Sequence, residues 1–474
     1  MLNQAFSVDN FERIFDIENR KGNVESLDFG EEYNDILLLI KEIRTEIKKL
    51  LQIKKSERTD ERTELLQELN DSYEDLIKIK KEIRQYEFEV ISKQVNKKTF
   101  QFNLNVKDDD KFVIDNSMES FFAIKQLQYN IRKTFNVKQS NRHTILSQIK
   151  LLLNEGFPKY IIRTDVTKFF ESIPQEKLLI KVENNTLLNI QSKNFIKQIL
   201  TEYNRLKDKK LIEENKGVPR GVGISSYLSE LYMKDIDNKI RNLSDVIYYV
   251  RYVDDMFIII SPAVPAILVH EYYTVIEDIV NREDLSLKPV GDDKCNLLDL
   301  FPQKGVTKNE SITYLGYKLY ITQENNKITT SFGLSDSKKE KIRNRISKSI
   351  DYYNATNKYD VKQAKKELLL CLRFLSTNSK LTGSKSRVKT GIYYSHDLLD
   401  NDHLSDITDL DVFLERQTIT PYRKLFASKI QREVYIDNLK CFILKNINFL
   451  KGFTEKTYHS FSINEMKTIK RILQ

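Results

Sequence analysis

Cysteine is scarce, and no long apolar stretch interrupts the chain. The three cysteines, Cys295, Cys371 and Cys441, stand far apart and form no C-x-x-C pair, which excludes a disulfide framework and a cysteine zinc site. A reducing, cytoplasmic compartment is therefore expected. No run of about 18 uncharged apolar residues occurs, so no membrane span is expected. The opening MLNQAFSVDNFERIF lacks a basic segment followed by an apolar one, and secretion is not expected either. His143, His270, His396, His403 and His459 show no metal-ligand spacing, and no G-x-x-x-x-G-K-[ST] loop is present to drive an NTPase. There is no internal repeat of fixed period.

What the chain does have is bulk and positive charge. Its 474 residues, 40% apolar with 24 Tyr and 25 Phe, suffice for sizeable cores and for two to four domains. A net charge of +9 tilts the expected partners toward polyanions.

Read in order, residues 1–30 hold short mixed segments ending in the polar cluster Glu18 to Gly22, a helix end followed by a turn. DILLLIKEIRTEIKKLLQIKK and TELLQELNDSYEDLIKIKKEIRQYEFEVI carry apolar residues at helical spacing across the polar SERTDERT, which predicts an antiparallel helical hairpin. Its dense charge reads first as a solvated face and second as a partner surface. FQFNL and KFVID predict strands, and SMESFFAIKQLQYNIRKTF and ILSQIKLLLNEGF predict helices. YIIRTDVTKFF predicts a strand entering a turn and helix, and VIYYVRYVDDMFIII two strands folded about Val253, Asp254 and Asp255. Residues 326–474 read as mostly helical, with Lys338, Lys339, Lys341, Arg343, Arg345 and Lys348 recurring on one helix.

Asp165 ends one β-rich run, and Asp254 with Asp255 bends another, so adjacent strands would bring three carboxylates to one sheet edge. Hard oxygen ligands suit Mg²⁺, and two such ions can activate a hydroxyl and stabilise a leaving pyrophosphate in an in-line displacement. Paired acids alone are weak evidence, because Asp-Asp in a turn is common turn chemistry. The flanking residues decide.

TDVTKFFESIP, GVPRGVGISSYLSELYMKDID, YVRYVDDMFIII and ITYLGYKL stand in the order and spacing of motifs A, B, C and E of reverse transcriptases, and the chain resembles that family over about residues 135–350. The resemblance implies an α+β right-hand polymerase: fingers over 101–163, a ferredoxin-like palm over 164–325 and a helical thumb over 326–380. It leaves a helical N-terminal insertion within 1–100 and a helical C-terminal extension over 381–474. Carried over, Asp165, Asp254 and Asp255 are the catalytic acids, and with the Val166 carbonyl they hold two Mg²⁺, for which Mn²⁺ is a substitute. Phe170 matches the steric gate that favours dNTPs over rNTPs, with core packing as its plainer reading; Phe169 reads as core. Gly217, Pro219 and Gly221 supply the turn by which backbone approaches the nascent base pair. Arg220 stands where many relatives carry Gln, and could grip template phosphate. Ser225 is a template contact or simply a helix cap.

LSLKPVGDDK resembles motif D, with Lys294 as the pyrophosphate-side cation and Lys288 its competitor. Tyr314, Leu315, Gly316 and Tyr317 match the primer grip, or form an ordinary β-hairpin. Lys138 and Arg142 are candidates for the incoming triphosphate, with Arg163 a third. Lys338, Lys341 and Arg345 would bind phosphates of the primer-template.

The ends, including KSRVKTGIYYSHDLL and NQAFSVDNFERIFDIENRKG, resemble bacterial defence-associated and abortive-infection reverse transcriptases, in particular the first polymerase of type 3 two-polymerase systems. That resemblance implies RNA-directed DNA synthesis from dNTPs on a dedicated noncoding RNA in antiphage defence. It adds a second polymerase subunit and self-association as possible partners. Two other readings stay open. One is template-independent or protein-primed DNA synthesis on the same palm, which Arg220 keeps alive; the other is a nonenzymatic RNA-binding scaffold, against which the three intact acids argue.

Overall fold

The computed structural model describes residues 3–474 except 22, 25–26, 54–58, 109–110, 139, 208–212, 263–266, 302–305, 325–326, 381–388 and 420–440. Parts of the expected SERTDERT linker and of KSRVKTGIYYSHDLL therefore lie outside the described residues, as does Gly22 of the first turn. The chain forms two discontinuous units: Met1–Gln139 with Val166–Lys239 and Glu277–Leu287, and Ser140–Asp165 with Ile240–Ile276 and Lys288–Gln474.

The first unit is built on helices. α1 (Val8–Asn19), α2 (Glu31–Leu51) and α3 (Asp60–Val95) precede a small hairpin of β1 (Leu104–Asp108) and β2 (Lys111–Ile114), and then α4 (Met118–Phe135). α1 packs against α3 and α4 through an aromatic core. Phe15 meets Phe29 edge-on at 5.5 Å, and Phe88 meets Phe122 at 5.1 Å. Glu18, buried at the end of α1, accepts from Lys21 at 2.6 Å, Asn23 at 2.7 Å and Lys125 of α4 at 2.9 Å. Burial alone would raise its pKa; the three donors carry it down to about 2. α2 and α3 form the expected hairpin, antiparallel because Arg44 meets Tyr73 while Tyr33 meets Lys80. The expected strand FQFNL begins only at Leu104. Phe100 and Phe102 instead stack edge-on with each other and with Phe195, where an aromatic cluster buries more apolar surface than a solvent-facing strand.

The second unit holds α5 (Arg142–Asn154) and a four-stranded antiparallel sheet of β3 (Lys159–Asp165), β4 (Val246–Tyr252), β5 (Asp255–Ile260) and β6 (Asn296–Leu300) in the order β4-β5-β3-β6. β3 and β5 are central and covered on both faces, so their apolar runs are continuous rather than alternating. A second antiparallel sheet joins β7 (Lys308–Tyr314), β8 (Tyr317–Glu324) and β9 (Lys327–Leu334), and β8 alternates buried and half-buried residues along most of its length. β9 lies in the stretch expected to be mostly helical; its β-branched ITT fits a pleated surface better. One apolar core joins both sheets to α5 and to the helices Asp336–Thr356, Val361–Ser376 and Ser405–Ile419. Among the described residues no helix is long and apolar enough to cross a membrane.

Candidate active site

Three features of the second unit converge on the end of the β4–β5 hairpin. Val253 turns the chain with a positive φ of 62°, so that Asp254 occupies the bend and Asp255 starts β5. Antiparallel register sets Asp255 directly opposite Asp165, the last residue of β3. Side chains two apart on a strand share a face, which brings Arg163 beside both. Its guanidinium grips Asp255 with two parallel bonds, Nε to Oδ1 at 3.0 Å and Nη2 to Oδ2 at 3.0 Å, and Nη1 donates to the Asp293 carbonyl at 3.2 Å. The pair is largely out of water, with side-chain exposures of 7% and 15%. Burial raises the Asp255 carboxyl to about 6, opposed by Arg163 and assisted by the charges of Asp165 and Asp254. Tyr314, fully buried, donates its hydroxyl to the Asp255 carbonyl at 3.3 Å.

Of the two competing lysines, Lys294 reaches Asp165, Nζ to Oδ2 at 2.8 Å, whereas Lys288 pairs with Asp292 at 3.4 Å. The hydrogen bond to Asp165 raises the Lys294 pKa against the pull of burial, so the ammonium stays charged. Arg163, the third triphosphate candidate by sequence, has its guanidinium on Asp255. Sequence reasoning missed that partnership, and its one signal was position, two residues before Asp165 on the same strand.

Next to this site, Leu315 and Gly316 turn β7 into β8 with φ of 45° and 80°, the positive values a two-residue hairpin requires. Leucine pays strain for this conformation, and Arg142 fastens the turn by donating Nε to the Leu315 carbonyl at 2.7 Å. A Cβ on Gly316 would stand 3.0 Å from Lys338 Cε and 3.2 Å from an Arg142 nitrogen. Arg142 thus joins the hairpin residues; Lys138, in the first unit, is exposed. Burial lowers the Lys338 pKa, and the neighbouring charges of Arg142, Lys341 and Arg345 lower it further. The remaining cations of that helix are spoken for: Lys339 by Asp406 at 3.0 Å, Arg343 by Glu340 at 3.7 Å, and Lys348 by the Gln474 carbonyl at 2.6 Å.

In the first unit, Val166 is buried and bridges to Leu287. Phe169 is buried and Phe170 half-buried on the short helix Phe169–Ser172. The Phe170 carbonyl accepts from Val218 at 2.8 Å, which ties the helix to the glycine turn. Gly221 has a φ of 99°, and a Cβ there would stand 2.6 Å from the Phe112 carbonyl oxygen of β2, so only glycine fits. Arg220 is exposed, with its carbonyl accepting from Phe112 at 2.7 Å. Ser225 is buried at the start of the helix Ser225–Arg241; its hydroxyl donates to the Pro219 carbonyl at 2.7 Å, closing the turn rather than capping the helix.

Among the described residues no group of three or more His, Cys, Asp or Glu side chains is gathered to hold a metal ion. The donor chemistry nevertheless suits a hard divalent cation: Asp254 in the bend and Asp165 at the end of β3 are carboxylates, and the Lys294 contact takes only Oδ2 of Asp165, whereas both oxygens of Asp255 are held by Arg163.

Residues 80–319, just over half of the chain, match the family model described as reverse transcriptase (RNA-dependent DNA polymerase). No curated protein sequence matches significantly. Similar solved structures include telomerase from Candida albicans in complex with a fragment of telomeric RNA, at 12% identity and TM-score 0.32, covering 74% of this chain and 53% of that one. Apo telomerase from Candida tropicalis is similar at 13% identity and TM-score 0.32, covering 79% of this chain and 65% of that one. The chain spans from about half to just under two thirds of the length of these telomerases.

Proposed function

This chain belongs to the reverse transcriptase family, RNA-directed DNA polymerases that act by nucleotidyl transfer, and from that we propose that it extends a DNA strand on an RNA template using dNTPs. The observation that carries the reading is the register that sets Asp165 of β3 against Asp255 at the mouth of the β4–β5 hairpin. Asp165 and Asp254, with the Val166 carbonyl, would hold Mg²⁺, which when bound acidifies the attacking 3′-hydroxyl and offsets charge on the leaving pyrophosphate. Asp255, locked by Arg163, orients the hairpin that carries Asp254. Lys294, a charged ammonium beside Asp165, is suited to meet pyrophosphate and supply its proton.

The Tyr314–Tyr317 turn, braced by Arg142, together with Lys338, Lys341 and Arg345, forms a positive platform suited to the primer-template backbone. We assign Arg142 to that platform rather than to the triphosphate. Phe170, half-buried and hydrogen-bonded through its carbonyl to the Gly217–Gly221 turn, is assigned the ribose gate. In this scheme the four-stranded sheet is the palm and the helices from Asp336 onward begin the thumb.

A dedicated noncoding RNA template in antiphage defence is the finer reading, supported by the long α2–α3 insertion and the extension beyond the polymerase motifs. A second polymerase subunit and self-association accompany it as expectations. The test is to purify the protein with its native locus and sequence the bound RNA and DNA beside Asp254→Ala. DNA complementary to one bound RNA, absent from the variant, is expected. DNA unrelated to any bound RNA would favour untemplated synthesis, and no DNA from the wild type would favour a scaffold.

A further inference from the structure

The α2–α3 hairpin carries a groove that the polymerase reading does not use. It encloses about 320 Å³ over an apolar floor of Leu37, Ile40 and Ile77. Leu37 and Ile77 keep 39% and 37% of their surface in water, although α2 and α3 pack along each other. Four cations wall it: Lys41, Arg44 and Lys48, which recur on one face of α2, and Lys80 of α3. None of the four has an acidic partner among the described residues. Arg44 bonds only the Tyr73 hydroxyl, at 3.0 Å through Nε, and lies 5.2 Å over that ring, while Lys80 lies 5.9 Å over Tyr33. Burial lowers the Lys80 pKa, and the charges of Arg84 and Arg44 lower it further.

That grouping runs against composition. Acidic residues outnumber basic ones along α2 and α3, so chance placement would pair these cations with nearby Glu or Asp. Instead four of the cations line the groove and no acid does. Repulsion among four unpaired cations is a standing cost, one that a polyanion relieves. Lys41 to Lys48 spans about 10 Å along a helix rising 1.5 Å per residue, the length of about three stacked nucleotides of one strand. A positive row over an apolar floor is how single-stranded nucleic acid is held without sequence preference: phosphates on the charges, bases against flat apolar surface.

We propose that the α2–α3 groove is a second nucleic-acid site, which binds single-stranded RNA separately from the polymerase centre. RNA rather than DNA is taken from the family's template, so the identity of the strand rests on the polymerase reading, while the polyanion site does not. An acidic polypeptide is the competing occupant.

The full chain is titrated with a fluorescent 20-nucleotide unstructured RNA between 50 and 200 mM NaCl, by anisotropy. Replacing exposed cations on one helix face by alanine keeps helix propensity, so Lys41→Ala/Arg44→Ala/Lys48→Ala should fold, which circular dichroism checks. At about 0.7 counterions per neutralised phosphate, the log–log salt slope should fall by about 2, with at least tenfold weaker binding at 100 mM. A control triple, Lys78→Ala/Lys81→Ala/Lys93→Ala, removes the same charge from α3 positions that do not line the groove and should change the slope by less than half as much. Equal effects of the two triples, or no effect of the first, would overturn the site. So would unchanged RNA binding with lost binding of poly-glutamate, which would give the groove to an acidic polypeptide. Primer extension on a short template should be the same in the groove variant and the wild type. Its failure in both would sink the polymerase reading alone, and its loss in the variant alone would overturn the site's independence.

Discussion

Arg163→Met isolates the interaction that holds the β4–β5 hairpin. The substitution keeps most of the side-chain volume and removes two charge-assisted bonds of 3.0 Å from Asp255, whose side chain is 15% exposed. Breaking one partner of a buried ion pair costs about 3–5 kcal/mol, because the remaining charge stays desolvated. At about 1.4 kcal/mol per tenfold change, amides of β3 and β5 should lose about 150- to 4000-fold of hydrogen-exchange protection in metal-free buffer at pH 8. Exchange is the right readout because it reports on this sheet alone, whereas a global midpoint would average two units. Asp255→Asn removes the orphaned charge, so Arg163→Met/Asp255→Asn should lose clearly less than the sum of its single variants. Arg163→Lys keeps the charge but not the fork and should fall between. A loss under tenfold, or additive single losses, would refute the claim that this pair secures the hairpin.

Other outcomes follow from neighbouring geometry. Asp254→Ala should reduce nucleotide incorporation by at least 1000-fold with RNA binding kept; comparable incorporation would remove the carboxylates from the chemistry. Phe170→Val should raise rNTP incorporation relative to dNTP by at least tenfold in primer-extension competition, whereas unchanged discrimination would make Phe170 a packing residue. Glu18 has its pKa lowered to about 2 from 4.5, so its stabilisation is present above pH 4.5 and drains away as pH falls toward 2. Glu18→Gln should flatten the acid loss of protection in α1 between pH 4.5 and about 2, and an identical slope in both proteins would refute the assignment. A Cβ on Gly452 would stand 1.8 Å from the Ser376 carbonyl oxygen, so Gly452→Ala should cost about 1–3 kcal/mol and lower Tm by several degrees; an unchanged Tm would mean the backbone shifts freely there.

The bend at Asp254, the strand end at Asp165 and the glycine turn were legible because their signals are local. Asp254 and Asp255 are neighbours in a bend, Asp165 closes an apolar β-rich run, and the glycines between Gly217 and Gly221 announce a turn, all within windows shorter than one strand pair. The α2–α3 hairpin was legible for a similar reason, since helical periodicity is a property of a dozen consecutive residues. Where the local signal was ambiguous it misled: FQFNL alternates like a strand, but Phe100 and Phe102 are spent on packing against Phe195, 95 and 93 residues away in sequence. What tertiary structure alone decided is which charge meets which. The register of β3 against β5 gave Arg163 to Asp255, the loop before β6 gave Lys294 to Asp165, and Arg142 found the Leu315 carbonyl 173 residues on. The phase of α2 against α3 gathered four cations into one groove of a hairpin richer in acids. A lone charge in sequence has many possible counterparts of nearly equal energy in water. Only when strand register and helix phase remove the water and fix the distances does one partner become far more favourable than the rest.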